Sequence, residues 1–271
     1  MAEHSLDSRF DFMIDERETK PRQTGLTMVI GDGPFNVGGK NGLEDLIEVA
    51  GEWIDWYKIV WSSFPFQQPD VMSEKLALLD QNDIIAFTGG NFLEAAVADG
   101  QEAEFFEAVT AAGCPGVEVS STAIDMTIEK KTDLIADAAR NGLHVHAEIG
   151  KKASETDGES LKSDAVIDEM TACLDAGADI VIYEMEEVES AISGRNESVD
   201  DGYVEKIHTI LDTVGKEKVL FEVPLGSFAE VMEVSGWFVE NIGTDVNLGN
   251  VNPNHVLLIE QQRRGIGPHS L

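Results

Sequence analysis

Four short apolar runs in this chain each carry a glutamate at or near their C-terminal end. Surplus acid normally lies on solvated faces of a protein and not inside such runs. If the runs are parallel strands of one barrel, their carboxylates gather at its C-terminal mouth, where enzymes of that architecture keep their chemistry. The runs are residues 116–119 with Glu118, 144–148 with Glu148, 180–184 with Glu184 and 219–222 with Glu222. The pattern therefore predicts an active site.

Strand-like runs alternate with helical patterns along nearly the whole chain. Eight such units favour a single (β/α)8 TIM barrel, in the α/β class, over an open doubly wound sheet. We expect a charged N-terminal extension at residues 1–20 and one barrel domain at 21–271. The predicted strands are 25–30, 56–61, 84–87, 117–119, 144–149, 180–183, 219–222 and 246–248. The predicted helices include 43–50, 74–79 with Ser73 as N-cap, 92–98, 128–140 and 164–175.

The charge of the chain restricts its partners. It has 51 Asp and Glu against 19 Lys and Arg, a formal net charge of -32. Such self-repulsion is tolerable where salt screens it, since the Debye length falls to about 3 Å near 1 M. We therefore expect a halophile's cytoplasmic protein, with an ordinary acidic enzyme as the alternative. Nucleic acid and anionic membranes are excluded as partners because they would be repelled. A homo-oligomer is left open.

The alternation of strand residues predicts which side chains enter the barrel. In the fifth strand Val145, Ala147 and Ile149 should face the helices, which leaves His144, His146 and Glu148 inside as a column. The second strand likewise directs Lys58 inward. A buried lysine needs an acid or an anionic ligand, so Lys58 is either a structural partner of glutamate or a substrate contact.

Carboxylates that converge at one mouth without cysteine suit a hard cation. We expect Mg²⁺, held by Glu118, Glu184 and Glu222 together with water and substrate. Two alternatives remain open, because glutamates also act as general bases or as partners of lysine. A transition metal at the fifth-strand histidines is a third interpretation, against that of an ordinary lumen histidine.

The turn after the eighth predicted strand is a candidate anion site. Asn247, Gly249 and Asn250 lead to Asn252, a plausible N-cap, and Pro253 at the first helical position. Free amides at such a terminus attract anions, and barrel enzymes often bind phosphate after strands seven and eight. Plain turn chemistry is the alternative. Gly89 and Gly90 after the third strand are predicted to let the backbone approach the same substrate.

The sequence resembles the phosphosulfolactate synthases of coenzyme M biosynthesis. No single motif is decisive, but the order in which the similar segments occur is specific and spans most of the chain. The segments are 20–22 with 25–30, 43–51, Gly89 and Gly90 with Glu94, 118–120, 148–152, 177–179 with Glu184, 221–224, 246–250 and 263–265.

The resemblance implies an enzyme that adds sulfite to phosphoenolpyruvate with the assistance of Mg²⁺. Lys151 matches the family's catalytic lysine and is the expected general acid, Lys58 would bind an anionic group, and Glu148 would orient the lysines. At Glu186 the family has an arginine, and Arg195 is the expected replacement cation. A family member acting on another small phosphorylated or carboxylated anion, or a non-catalytic scaffold, is the alternative.

Overall fold

Eight parallel strands close into a barrel in which each strand pairs with the next in chain order. The last strand pairs back with the first, which confirms the predicted TIM barrel. The computed structural model describes residues 8–14, 17–32, 38–150, 164–184 and 201–267. The strands are β1 (Thr27–Gly31), β2 (Trp56–Ile59), β3 (Ile85–Thr88), β4 (Gly116–Val119), β5 (His144–Ile149), β6 (Ile180–Tyr183), β7 (Val219–Glu222) and β8 (Leu248–Val251).

Helices surround the barrel. The predicted helices at 128–140 and 164–175 are confirmed at both ends, but the Ser73 cap is wrong, because that helix begins at Pro69 after Gln68. Helices at 102–111, 201–214 and 228–241 were not predicted. The helices are α1 (Lys40–Ala50), α2 (Pro69–Asp80), α3 (Gly90–Ala98), α4 (Glu102–Ala111), α5 (Ile128–Arg140), α6 (Asp164–Asp175), α7 (Asp201–Val214), α8 (Phe228–Asn241) and α9 (Val256–Arg263). No helix in these parts of the chain is long and apolar enough to cross a membrane.

The eighth strand differs from its prediction. It begins at Leu248 and runs to Val251, so Gly249 and Asn250 belong to the strand and not to a following turn. Asn252 does cap the short 3-10 helix Pro253–His255, where its side chain accepts a hydrogen bond from the Asn254 N–H. The turn therefore begins three residues later than the sequence indicated, because the strand ends at Val251 and not at Leu248.

The strand pleat divides the apolar core into two layers. Val145, Ala147 and Ile149 pack between the sheet and the helices, as predicted for the outward face of β5. A smaller cluster fills the lower part of the barrel interior. It comprises Leu26, Met28, Phe87, Ile180, Ile182 and Leu220. The barrel is thus a packed core, and a cavity at its C-terminal mouth has to lie above this layer.

Arginine side chains bind carbonyl oxygens and a carboxylate at the N-terminal end of the barrel. The buried Arg263 guanidinium donates hydrogen bonds to the carbonyl oxygens of Thr244 (2.8 Å), Val246 (2.5 Å) and Leu26 (3.2 Å). Arg17, within the predicted extension, forms an ion pair with Glu260 of α9. The extension therefore contacts the barrel, while its proposed boundary at residue 20 stays a prediction.

His146 is a histidine of the barrel interior. Its ring stacks on Phe87 with centroids 4.0 Å apart, and burial lowers its pKa from 6.5 to about 3. The unfolded chain therefore binds a proton below pH 6.5 that the folded chain refuses. The stability that depends on a neutral His146 is therefore fully present above pH 6.5, and it is lost progressively as the pH falls toward 3.

Replacement of this histidine by phenylalanine should flatten the acid dependence of stability. We expect the unfolding free energy of the wild type to fall relative to that of His146→Phe as the pH is lowered. The difference should grow by about 1.4 kcal/mol for each pH unit below pH 6. Guanidinium unfolding across that range measures the difference, with His208→Asn, at an exposed histidine of α7, as the control. An unchanged slope would show that His146 does not remain neutral in the folded protein.

Candidate active site

One lysine and three glutamates meet inside the C-terminal mouth of the barrel. The Lys58 Nζ of β2 lies 2.7 Å from Glu118 Oε2 of β4 and 3.3 Å from Glu222 Oε1 of β7. Glu148 Oε2 of β5 is 3.9 Å away. All four residues are at least nine-tenths buried, so each strand supplies one inward charge directly above the apolar layer. The predicted Lys–Glu contact inside the barrel is confirmed.

The four charges determine one another's protonation. Burial alone would lower the pKa of Lys58, but Glu118, Glu222 and Glu148 together raise it above its ordinary value. Burial, followed by repulsion from Glu118 and Glu222, raises the pKa of Glu148 well above 4.5. Lys58 is therefore held as an ammonium ion, and Glu148 retains a proton more readily than an ordinary glutamate does.

Two glycines let α3 approach this cluster. The Gly90 N–H, at the start of α3, donates a hydrogen bond to Glu118 Oε1 at 2.8 Å. A Cβ on Gly90 would lie 2.0 Å from Ser120 Oγ, and one on Gly89 would lie 2.7 Å from the Trp61 nitrogen. Both positions therefore exclude larger residues because of neighbouring protein atoms. Whether their backbone also contacts a ligand stays a prediction.

A cavity of about 390 Å³ opens above the cluster. In the described part of its wall five glutamates accompany a single lysine, an unusual balance for a pocket expected to take an anion. The residues that line it are Ile30, Lys58, Val60, Trp61, Gly89, Gly90, Asn91, Glu118, Thr122, Glu148, Glu184, Glu222, Val223, Pro224, Leu225, Gly226, Glu230 and Asn250. Further positive charge has to arrive from elsewhere before a polyanion binds there.

The residues of the predicted anion site after β8 lie at two different ends of the barrel. Asn250 lines the cavity with its backbone in the left-handed region at a φ of 52°. Asn247 precedes β8 and lies at the opposite end of the strand. Its side chain donates to the carbonyl oxygens of Lys216 (3.0 Å) and Val219 (2.9 Å) and accepts from the Leu26 N–H (3.0 Å).

Neither Asn247 nor Gly249 faces the cavity, so the prediction that they contact the substrate is wrong. The amide of Asn247 is already engaged by backbone groups far from the mouth. A Cβ on Gly249 would lie 2.3 Å from Leu220 Cδ2 and 2.6 Å from Met28 Cε, so this glycine faces the apolar layer of the barrel interior. Close packing below the cavity, and not a ligand, explains why residue 249 has no side chain.

Three predicted functional residues, Lys151, Glu186 and Arg195, lie outside the described residues. The first follows β5 closely, since that strand ends at Ile149. The roles assigned to all three stay predictions.

The predicted magnesium ligands do not form a site of three carboxylates. No three His, Cys, Asp or Glu side chains within the described ranges form a group that could hold a metal ion. Glu118 and Glu222 both face Lys58, which supplies the cation between them. Mg²⁺ in enzymes is, however, often held by one or two carboxylates with water and substrate phosphate. Glu184 and Glu222 line the cavity and are carboxylates of the kind that such a site uses.

Several residues of the cavity wall were not predicted. Trp61 and Thr122 follow β2 and β4, so their position after a barrel strand was an available signal. Glu230 forms a capping box with Ser227 at the start of α8, a spacing that is visible in the sequence. No local pattern marks Asn91.

The protein is a (β/α)8 barrel with a charged cavity at its C-terminal mouth. Enzymes of this fold class keep their active sites at that end of the barrel. A family model narrows this class. Residues 15–268 match the model described as (2R)-phospho-3-sulfolactate synthase (ComA). The chain belongs to this family of enzymes.

Individual relatives support the assignment. The chain is 31% identical over 261 residues to the phosphosulfolactate synthase of Methanothermobacter thermautotrophicus, covering 95% of each protein. It is 32% identical over 261 residues to that of Methanocaldococcus jannaschii, covering 95% of this chain and 96% of the relative. A putative dihydrodipicolinate synthetase from Pseudomonas aeruginosa has a TM-score of 0.52 at 10% identity, covering 89% of this chain and 76% of that one. The last similarity concerns the fold alone.

Removal of the central ammonium should make stability strongly dependent on pH. Lys58→Met leaves buried carboxylates without a cation, so we expect a loss of about 3–5 kcal/mol in unfolding free energy at pH 7.5. The loss should shrink toward about pH 5, because the remaining carboxyl groups then bind protons more readily in the folded state. Chemical unfolding in about 1 M KCl, which screens the acidic surface, measures this change.

Glu148→Gln is the matched variant, since a neutral side chain of the same shape then replaces a carboxyl group whose pKa is raised. Its unfolding free energy at pH 7.5 should lie within about 1 kcal/mol of the wild type. An equal loss at both pH values in Lys58→Met would contradict the electrostatic interpretation of the cluster.

Proposed function

We propose that this protein adds sulfite to phosphoenolpyruvate to form 2-phospho-3-sulfolactate. The observation that carries the proposal is the family match over residues 15–268, joined with a buried lysine at the mouth of the barrel. The sulfur lone pair forms a bond to the methylene carbon of phosphoenolpyruvate. The electrons of the double bond move toward the carboxylate, and a proton is then delivered to the neighbouring carbon.

Lys58 is the described cation that stabilises this charge. The carbanion formed by sulfite addition is delocalised into the substrate carboxylate, and a fixed ammonium stabilises such developing charge best where water is excluded. The ion pairs with Glu118 and Glu222 prevent Lys58 from moving out to solvent. Its raised pKa makes Lys58 a poor proton donor, which is consistent with the assignment of Lys151 as the general acid.

The excess of carboxylates in the cavity requires a further cation when a polyanion binds. We assign Mg²⁺ to Glu184 and Glu222, since Glu118 is engaged by both Lys58 and the Gly90 N–H. When bound, this ion neutralises substrate oxygens. Arg195 is assigned the role of the arginine that the family has at position 186, and Asn250 that of an amide contact to the substrate.

A direct assay tests the reaction. Purified protein incubated with phosphoenolpyruvate, sulfite and Mg²⁺ should yield a sulfonated product visible by mass spectrometry, and Lys58→Met should lower kcat by about a hundredfold or more, from the loss of a preorganised charge. Chelation of the divalent cation should abolish turnover and its restoration should return it. Glu107→Gln, at an exposed glutamate of α4, serves as the control variant.

Absence of product from the wild type, with the protein shown to be folded, would contradict the proposal. Glu186 favours the second candidate in that case, a family enzyme acting on another small phosphorylated or carboxylated anion. Thermal shifts against a panel of such acids would identify the ligand, because binding to the folded state alone raises the melting temperature.

A further inference from the structure

The carboxylate of Glu94 binds the loop that follows β4. Its side chain belongs to α3 and is only 1% exposed. Oε1 accepts hydrogen bonds from the Ser120 hydroxyl and from the Thr122 N–H and hydroxyl, both at 3.2 Å. Oε2 accepts from the N–H groups of Ala123 (2.6 Å) and Ile124 (2.8 Å). Both oxygens of one buried carboxylate are therefore used to hold four of the five residues 120–124.

The loop binds the ionised form of Glu94. Burial alone would raise the pKa of this group, but the hydrogen bonds from Ser120, Ile124, Ala123 and Thr122 outweigh burial and lower it. Three of these donors are backbone N–H groups, which cannot reverse to accept a hydrogen bond. A neutral amide at this position would therefore turn an N–H donor toward another donor.

The same loop and helix form one wall of the cavity. Thr122 of the loop lines the cavity, as do Gly90 and Asn91 at the start of α3. The Gly90 N–H also holds Glu118, the closest partner of Lys58. Glu94 follows Gly90 by one helical turn and does not itself line the cavity. Its carboxylate thus fixes the distance between two segments that do.

We propose that Glu94 is a positioning residue for the reaction. It holds residues 120–124 against the first turn of α3 and so determines the position of the cavity wall that the anionic substrate contacts. The identity of that substrate rests on the proposed function, whereas the hydrogen-bonded clamp does not. A purely structural role would lower stability and leave the kinetic constants of the folded enzyme unchanged.

Steady-state kinetics of three variants distinguish these roles. Glu94→Gln should raise the KM for phosphoenolpyruvate about tenfold or more while kcat changes less, because the wall moves but Lys58 stays in place. Glu94→Ala should raise KM further, and added acetate should restore it by occupying the vacated space, whereas chloride at equal ionic strength should not. Glu94→Asp keeps the charge, so an intermediate KM is expected, and it remains testable should the other two fail to fold.

Glu107→Gln is the control, since it removes one negative charge from the exposed face of the neighbouring helix. An active wild type whose KM is unaltered in the Glu94 variants would overturn the inference. A wild type without turnover would contradict the proposed function instead. Hydrogen exchange at the amides of residues 122–124 then tests whether Glu94 holds this loop. Exchange should be faster in Glu94→Gln than in Glu107→Gln. Equal rates would overturn the inference.

Discussion

The structure of the site depends on one buried ammonium group among carboxylates. Glu118, Glu148 and Glu222 project from three strands into the buried interior of the barrel, where like charges repel strongly. Lys58 relieves this repulsion from a fourth strand, with ion pairs of 2.7 and 3.3 Å to Glu118 and Glu222. The cluster lies directly above the apolar layer of the barrel interior, so its members have little freedom to rotate away from one another.

This arrangement connects the fold to the proposed chemistry. A barrel brings the ends of distant strands together, and each strand supplies a single inward charge because side chains alternate along it. The resulting cavity carries more negative than positive charge in its described wall, which is unfavourable for a substrate such as phosphoenolpyruvate. The proposed magnesium ion and the lysine and arginine expected after β5 and β6 complete the charge balance. The same carboxylates hold Lys58 in place.

Much of the fold was predictable from local pattern. The eight alternating strand and helix patterns predicted the barrel, and the alternation of Val145, Ala147 and Ile149 with His146 and Glu148 predicted residues that face its interior. The eighth strand was misplaced because Gly249 and Asn250 are typical of turns, whereas here the barrel accommodates them within a strand. Tertiary packing against Leu220 and Met28 decided the outcome over local propensity.

The partners within the site were less accessible to sequence reasoning. The approach of Lys58 to Glu118 and Glu222 depends on the register of strands separated by up to 164 positions in the chain, which no local pattern encodes. The five hydrogen bonds to Glu94 likewise depend on how a loop folds over a helix. Asn247 had a plausible turn sequence around it, and only the strand boundary showed that it lies at the wrong end of the barrel.

A double-mutant cycle between Lys58 and Glu118 tests the central claim most directly. The free energies of unfolding of the wild type, Lys58→Met, Glu118→Gln and the double variant give the coupling between the two side chains without the cost of the other changes. A coupling of about 1.5–3 kcal/mol in about 1 M KCl is the result that a buried, unscreened ion pair predicts. Additive losses, with a coupling near zero, would contradict the account, because the mouth of the barrel would then not be organised by this lysine.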